Sequence, residues 1–376
     1  MRNIKPPIIS DLKEKMVFIS GPRQVGKTTL ALEILRGNQS HPAYLNWDSD
    51  KDRIKIMHQE FPVDEPLLIF DEIHKFKRWR NYLKGLYDKT KHEKKYLVTG
   101  SARLDLYRRG GDSLFGRYHF YRLHPLVPNE IEKSISRQTI ETLIKLGGFP
   151  EPFYSGSERV LKRWHRNRMI QVLRDDLRDL ERIEEIDLVF RLAERLPALV
   201  GSPLSINALR EDLQVAHFSV QRWLIVLEKL FYIYRISPYG APKIRAVRKE
   251  QKTYLWDWSQ ILDPGARFEN YVGSLLLAYC DYLEDTEGER MELRYIRDTD
   301  KREVDFVVIK NGAPLFAVEC RLSDTSVNPH IHYFQQRTSI PYFYQVHMGQ
   351  KHYQPKALPI EVIPIDKFAS KVLKFG

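Results

Sequence analysis

Short apolar runs alternate with longer amphipathic segments over the first 125 residues of the chain. Each apolar run has the length and composition of a buried strand, and the segments between the runs are rich in helix formers. The predicted strands lie at residues 16–20, 44–48, 67–70, 95–102 and 118–123. Strands that alternate with helices at this spacing are typical of βαβ units and indicate an α/β fold with a parallel sheet.

The first predicted strand leads directly into GPRQVGKT at residues 21–28, which matches the phosphate-binding pattern G-x-x-x-x-G-K-[ST] at every position. A helix is predicted to follow from residue 29. Backbone N–H groups of such a loop and the dipole of the helix form a site for phosphates, with Lys27 on the β- and γ-phosphates and Thr28 on Mg²⁺. The sequence therefore predicts ATP and Mg²⁺ as cofactors, with ATP bound by Gly21, Pro22, Arg23, Gln24, Val25, Gly26, Lys27, Thr28 and Thr29.

Two carboxylates follow the apolar run at residues 67–70, as in a Walker B strand. Because parallel strands end at the edge of the sheet where phosphates bind, Asp71 would hold Mg²⁺ and Glu72 would polarise the attacking water. The alternative is a buried strand that ends in exposed acids. The next strand ends in hydroxyls, and Thr99 and Ser101 are candidates for sensing the γ-phosphate, although plain turn chemistry also explains them.

Composition extends the list of possible partners. The chain of 376 residues has a formal charge of +11 and a pI near 9.3, so polyanions such as DNA are candidate partners. Its two cysteines, Cys280 and Cys320, show no zinc-ligand spacing and fit a reducing compartment. No run reaches the ~18 apolar residues of a membrane span, so no membrane partner and a cytoplasmic location are expected.

Apolar positions at residues 130–200 recur with helical spacing, and residues 159–182 carry many Lys and Arg. That basic run is either a DNA-facing helix or a solvated helix face with i,i+4 pairs. From residue 205 two helices and two strand-like runs follow, in the order of a winged helix. The outward face of its second helix would carry Ser219, Gln221, Arg222 and Lys229.

The predicted wing is rich in cations and aromatic residues, the components of a nucleic-acid surface. Its cations are Arg235, Lys243, Arg245, Arg248, Lys249 and Lys252, and Tyr232, Tyr234 and Tyr239 lie in or beside it. A winged helix used for packing or oligomerisation is the competing interpretation. The candidate DNA-binding residues are Arg222, Lys243, Arg245, Arg248 and Lys249.

Residues 1 to about 260 resemble the AAA-type ATPases of bacteria and archaea that carry a C-terminal domain of unknown function. The resemblance rests on GPRQVGKTTL, YLNWD, LLIFDEIHKF, YLVTGSARLDL, FGRYHFYRLHPL and GGFP at residues 147–150. It implies self-association into a ring such as a hexamer, in which an arginine of one subunit reaches the γ-phosphate of its neighbour. Arg117 is the first candidate for this finger, with Arg103, Arg108 and Arg109 behind it; the competing interpretation of Arg117 is a surface cation.

The C-terminal segment resembles the PD-(D/E)xK restriction-endonuclease-like fold. Glu269 lies on a predicted helix, and Asp305 and Glu319-x-Arg321 lie on predicted strands, in the order of the two Mg²⁺ carboxylates and the lysine of that fold. The chain has Arg321 where the fold has lysine. Because arginine stays protonated, it clamps a phosphate but is a poor general base. We therefore expect a phosphate-binding remnant of a nuclease without cleavage.

Together these features predict an ATPase core (residues 1–128), a helical lid (129–200), a winged helix (201–260) and an α/β restriction-endonuclease-like domain (261–376). The leading function is an oligomeric AAA-type ATPase that couples ATP hydrolysis to binding or remodelling of branched or duplex DNA. The alternatives are a regulatory or defence ATPase that acts on protein partners and an ATP-gated, metal-dependent nuclease.

Overall fold

A computed structural model describes residues 1–100, 114–172, 185–240, 250–323, 326–356 and 358–375 of the chain. The chain divides into two compact units, Met1–His124 and Pro125–Gly376. Among the described residues, no helix is both long and apolar enough to cross a bilayer.

The first unit is built on a five-stranded sheet whose hydrogen-bonded neighbours are all parallel. The strand order is β2-β3-β4-β1-β5, so β1 lies between β4 and β5. The predicted parallel α/β sheet is confirmed. Its strands are β1 Met16–Ser20, β2 Tyr44–Asn46, β3 Leu67–Asp71, β4 Lys95–Thr99 and β5 Tyr118–Arg122.

Aromatic side chains fill much of the core on one face of this sheet. Phe18 of β1 stacks on Tyr118 of β5 with ring centroids 4.5 Å apart, and Phe70 of β3 packs beside Tyr96 of β4. Such pairs form because residues two positions apart along a strand share a face, so each ring packs on a ring two positions from its register partner. The helices of the unit are α1 Lys5–Asp11, α2 Lys27–Leu35, α3 Asp50–His58 and α4 Trp79–Thr90, and a 3₁₀ turn spans Ile73–Lys75.

The second unit begins with the helical region that the sequence predicts for residues 130–200. Ser136, Ser157 and Ser205 each cap a helix by accepting a hydrogen bond from a backbone N–H of its first turn. The helices in this part of the unit are α5 Pro128–Ile131, α6 Arg137–Leu146, α7 Pro150–Ser155, α8 Glu158–Ile170, α9 Ile186–Arg195, α10 Ile206–Leu213 and α11 His217–Lys229.

A seven-stranded mixed sheet in the order β12-β11-β10-β9-β8-β6-β7 completes the second unit. The long helix α12, Pro264–Glu287, packs on β8, β9 and β10. The strands are β6 Ile233–Pro238, β7 Lys252–Leu255, β8 Met291–Arg297, β9 Glu303–Lys310, β10 Ala313–Arg321, β11 Phe343–His347 and β12 Ile360–Pro364, and the remaining helices are α13 Pro329–Gln335 and α14 Ile365–Lys371.

The predicted wing differs from expectation. β6 and β7 pair antiparallel, as a wing requires, but Ser237 and Pro238 of β6 also pair with β8. The hairpin is therefore one edge of the seven-stranded sheet. The domain limits drawn from the sequence stay predictions, and the sheet continues across the limit placed at residue 260.

Burial corrects the predicted nucleic-acid surface on this hairpin. Tyr232 and Tyr234 are only 2 % and 8 % exposed, so neither can stack on a base. Lys252 is completely buried and cannot meet a phosphate at the surface. The prediction for these three residues is wrong because other parts of the second unit cover their side chains: Tyr232 donates to the carbonyl of Ala193, Tyr234 stacks on Tyr254, and Lys252 pairs with acids of α12 and β9.

Candidate functional site

The phosphate loop connects β1 to α2 and has the backbone conformations that its glycines permit. Gly21 has φ +149°, and a Cβ at this position would collide with the carbonyl oxygen of Leu123. Gly26 has φ +101° and directly precedes the first residue of α2. Both positions therefore require glycine, and the first backbone N–H groups of α2 face the loop.

Lys27 is the first residue of α2 and is largely buried. Its ammonium donates hydrogen bonds to the carbonyl oxygens of Gly21, at 2.9 Å, and Pro22, at 2.7 Å. Each of these bonds lies within the loop itself. A phosphate bound in the loop would offer the ammonium a charged acceptor in place of two neutral ones.

Asp71, the last residue of β3, accepts hydrogen bonds from three hydroxyl groups. Thr99 at the end of β4 donates at 2.5 Å to one carboxylate oxygen. Thr28 of α2 and Tyr44 of β2 donate at 2.8 and 2.7 Å to the other. The structure thus brings Thr28, Asp71 and Thr99 together, as the sequence predicts for strands that end at one edge of a parallel sheet.

This arrangement fits Mg²⁺ bound together with ATP. Magnesium prefers oxygen ligands and is held by one or two protein groups plus phosphates and water. The hydroxyl of Thr28 and the carboxylate of Asp71 are oxygen donors in direct contact beside the loop. When bound, the ion would neutralise charge that develops on the phosphates.

Two residues that the sequence did not indicate support this site. Tyr44 holds Asp71, and burial together with the Asp71 charge raises the pKa of Tyr44, so its hydroxyl remains a donor. Arg2 donates to the carbonyl oxygens of Val25 in the loop and His124 after β5. The strand that contains Tyr44 was predicted, but its pattern does not indicate that the tyrosine reaches Asp71. Nothing in the local pattern around Arg2 points to the loop.

Glu72 follows Asp71 in a left-handed conformation, with φ +57°. Its backbone N–H donates to the carbonyl of Thr99 at 3.0 Å, which fixes it beside β4. Burial raises the pKa of Glu72; Lys75, with its ammonium 3.5 Å from the carboxylate, opposes this rise, and the Asp71 charge adds to it. A carboxylate with a raised pKa beside the magnesium ligand is suited to accept a proton from water.

Arg117 lies at the other end of the sheet from its own phosphate loop. It precedes β5, whose register aligns Tyr118 with Met16 and Arg122 with Ser20. At about 3.3 Å per residue the five paired positions separate Arg117 from the loop by roughly 16 Å. Its guanidinium forms a two-point ion pair with Asp88, at 2.7 and 3.1 Å. Arg117 is therefore no part of its own subunit's site, and a role in a neighbouring subunit stays a prediction.

Several predicted residues lie outside the part of the chain that the structure describes. They are Ser101, Arg103, Arg108, Arg109, Lys243, Arg245, Arg248 and Lys249. Their proposed roles stay predictions.

The outward face of α11 carries Gln221 and Arg222, which are exposed, and Ser219 and Lys229, which are partly exposed. Phe218 and Ile225 lie on the same face and are 73 % and 45 % exposed. A groove of about 630 Å³ runs along this helix, lined by Ile206, Phe218, Gln221, Arg222, Ile225, Lys229, Arg235 and Gln251. The face thus combines cations with apolar side chains.

The acidic residues predicted for the C-terminal domain lie around one buried lysine. The ammonium of Lys252 is 3.3 Å from Glu269 of α12 and 3.8 Å from Asp305 of β9. Glu319 of β10 pairs with Arg321 at 2.8 Å, and burial raises the pKa of Glu319 to about 7. Among the described residues, no group of three or more His, Cys, Asp or Glu is arranged to hold a metal ion. The role of these residues as a nuclease remnant stays a prediction.

Comparison with protein families divides the chain into three consecutive matches. Residues 13–132 match the family described as AAA domain. That match covers the loop, Asp71, Glu72 and the whole parallel sheet. Residues 137–261 and 264–368 match two domains of unknown function, DUF8612 and DUF4143. The predicted resemblance to AAA-type ATPases is supported for residues 13–132, whereas the domain limits and the restriction-endonuclease-like fold stay predictions.

The chain is similar to proteins that are described as uncharacterized. One of Mycobacterium tuberculosis and one of Mycobacterium bovis are each 25 % identical over 244 residues, which is 64 % of this chain and 54 % of theirs. One of Methanocaldococcus jannaschii is 23 % identical over 85 % of this chain and 78 % of its own. The chain spans about half the length of the two mycobacterial relatives.

Solved structures with some likeness include the Thermotoga maritima RuvB Holliday junction branch migration motor and the Aeropyrum pernix ORC1 protein in complex with DNA. The first is 17 % identical, with 61 % of this chain and 87 % of that chain covered and a TM-score of 0.27. The second is 13 % identical, with 70 % and 89 % covered and a TM-score of 0.34. Neither likeness assigns a partner to this chain.

Replacing Lys27 tests the phosphate loop. Lys27→Ala removes the cation that would meet the β- and γ-phosphates, so we expect ATP turnover to fall by about 10²–10³ or more. Turnover and binding of a fluorescent ATP analogue are the measurements. Lys51→Ala, which changes an exposed lysine of α3, is the matched control. Equal turnover in Lys27→Ala and Lys51→Ala would contradict the assignment.

Replacing Glu72 separates binding from hydrolysis. Glu72→Gln keeps the shape of the side chain but cannot accept a proton, so we expect unchanged ATP affinity and turnover lower by about 10²–10⁴. Since the pKa of Glu72 is raised, native turnover should decline in acid at a higher pH than an ordinary glutamate would give. Glu93→Gln changes an exposed glutamate of the same unit and should behave like the native chain. Full turnover in Glu72→Gln would reassign the base.

Proposed function

We propose that this chain hydrolyses ATP in its AAA domain as part of an oligomer and couples hydrolysis to the binding or remodelling of DNA. The observation that carries the ATPase part is the convergence of Thr28, Tyr44 and Thr99 on Asp71 beside the phosphate loop. The three neutral hydroxyls orient the carboxylate of Asp71 and leave it available as an oxygen ligand for a magnesium ion.

The chemistry assigns distinct work to each residue. Thr28 and Asp71 would hold Mg²⁺, and Lys27 would leave its two carbonyl acceptors for the phosphates. Glu72 would orient and deprotonate the attacking water, because its backbone bond to Thr99 fixes it next to the magnesium ligand. Thr99 keeps Asp71 in place and is therefore a positioning residue. Binding and orientation, with electrostatic stabilisation, account for most of phosphoryl-transfer catalysis.

Support for DNA as the target comes from the charge of +11 and from the outward face of α11. Arg222 is exposed there, beside Gln221 and Lys229. The contribution first expected from Tyr232, Tyr234 and Lys252 is removed by their burial. The proposed DNA surface is therefore the outward face of α11. Lys243, Arg245, Arg248 and Lys249 lie outside the described residues and stay predicted DNA contacts.

Salt dependence tests DNA binding. If Arg222 meets a phosphate, Arg222→Ala should weaken binding and reduce the slope of log K against log salt by about one. The measurement is fluorescence anisotropy with short duplexes, forks and single strands over a salt series. Arg290→Ala, at an exposed arginine before β8, is the matched control and should leave the slope unchanged. Failure of all three DNA structures to bind at low salt would reject DNA as the target.

A protein partner is the second candidate, and one observation favours it. Phe218 and Ile225 are exposed on the same helix face as Arg222, and interfaces with proteins are enriched in such side chains at their centre. In that case Phe218→Ser would disrupt partner binding, while DNA would have no effect on ATP turnover. An ATPase assay with and without DNA therefore separates the two candidates.

Mixing variants tests Arg117 as a finger that acts between subunits. Where such a finger operates it is worth about 10³–10⁵ in rate, so Arg117→Ala should be nearly inactive. Adding Lys27→Ala subunits, which retain Arg117, should restore part of the turnover. Asp88→Ala breaks the ion pair but leaves Arg117 and should stay active. Equal loss in Arg117→Ala and Asp88→Ala, without rescue on mixing, would show that the ion pair has only a structural role.

A further inference from the structure

Lys252 is a fully buried lysine surrounded by carboxylates of the C-terminal domain. Its ammonium lies 2.5 Å from Glu303, 3.3 Å from Glu269 and 3.8 Å from Asp305. Its side chain has no exposure to solvent. Burying an ammonium is costly unless paired charges and hydrogen bonds replace water, and three carboxylates meet that condition here.

The register of β7 explains how this lysine reaches the carboxylates. Lys252 begins β7 at the edge of the seven-stranded sheet and pairs with Ile236 of β6. Tyr254, two residues further on, lies on the same face and donates to Glu269 at 2.7 Å. The ammonium and the hydroxyl that contact Glu269 thus both come from the short strand β7. This strand precedes residues 264–368, which contain the acidic residues.

The other three carboxylates around Lys252 and Tyr254 have further partners of their own. Glu303 pairs with Arg297 at 3.0 Å. Asp305 accepts a hydrogen bond from the backbone N–H of Cys320 at 2.8 Å. Glu319 accepts from Asn328 at 2.5 Å, and Arg321 pairs with the same oxygen. We call Glu269, Glu303, Asp305 and Glu319 the acidic pocket.

We propose that the Lys252 ammonium is the resident cation of the acidic pocket, so that the native pocket takes up no divalent metal and becomes a divalent-cation site when Lys252 is replaced. Lys252, Arg297 and Arg321 supply three positive charges to four carboxyl groups. Mg²⁺ and Mn²⁺ need several oxygen ligands in direct contact and retain part of their hydration shell. A buried ammonium in contact with Glu269 and Glu303 occupies that space and cancels the charge that would attract the ion.

Removing the ammonium reverses both effects. Without Lys252, Glu269, Glu303 and Asp305 would lose the cation that they share, and of the cations named above only Arg297 would remain, on Glu303. Buried like charges disfavour such a state. A divalent ion from solvent would then relieve the repulsion. This inference does not depend on the proposed ATPase or DNA functions, since it concerns only residues of the second unit.

The test is manganese uptake, followed by electron paramagnetic resonance of free Mn²⁺ in the nucleotide-free chain. All proteins carry Asp71→Asn, so that no ion is counted at the phosphate loop. We expect no uptake with Lys252 or with Lys252→Arg, which keeps the charge. Lys252→Met should take up about one Mn²⁺ ion per chain. The double variant Lys252→Met, Asp305→Asn should take up none, because it has lost a carboxylate ligand and its negative charge.

Two results would overturn the proposal. One is Mn²⁺ bound with Lys252 present and lost in Asp305→Asn; the other is a folded Lys252→Met chain that binds none. If Lys252→Met does not fold by circular dichroism, Lys252→Met with Glu303→Gln removes the ammonium and one carboxylate together. A folded double variant that binds no Mn²⁺ would overturn the proposal in the same way. Mn²⁺-dependent nicking of DNA by the native chain that disappears in Asp305→Ala would equally refute it. ATP turnover is measured separately in Lys252→Met with native Asp71 and should be unchanged. Failure of this proposal can therefore be distinguished from failure of the ATPase assignment.

Discussion

The buried carboxylate of Asp71 is the interaction on which the first unit depends. A buried ionised group must be fully hydrogen-bonded, and Asp71 meets this requirement with hydroxyls from β2, β4 and α2. Tyr44 and Thr99 reach Asp71 because β2, β3 and β4 end in register, with Asn46, Asp71 and Thr99 aligned at one edge of the sheet. The arrangement that satisfies a buried charge is thus the same one that sets the phosphate loop beside a magnesium ligand.

The parts of this site that sequence reasoning could find are local. Residues 21–28 and 67–72 each contain, within a few positions, the residue types and the strand that their chemistry requires. Tyr44 and Arg2 could not be found in this way, because their partners Asp71 and Val25 lie more than twenty residues away. A local sequence pattern does not show which distant residues the fold brings into contact. Arg117 is a similar case, since its ion pair with Asp88 joins two segments with no shared motif.

The wing shows a different limit. Alternation and turn residues correctly indicated two strands, but a strand pattern does not say which sheet the strand joins. Once β6 pairs with β8, the side chains of Tyr234 and Lys252 lie inside a larger core. From the sequence, Lys252 was expected to be a surface charge, because a lysine is rarely buried unless it has charged partners. Those partners, Glu269 and Glu303, are supplied by a helix and a strand further along the chain.

The two acidic sites of this protein differ in how their charge is balanced, and that difference decides what each can bind. Asp71 is held by neutral hydroxyls, which orient the carboxylate but add no positive charge to it. The acidic pocket is held by Lys252, Arg297 and Arg321, so most of its charge is already compensated within the chain. Position 321 looked like the decisive change when the C-terminal segment was compared with a nuclease site. The burial of Lys252 is the stronger constraint. Arg321 is exposed and can move away from Glu319. Lys252 has no exposure and is held by three carboxylates, so it cannot leave without unfolding the edge of the sheet.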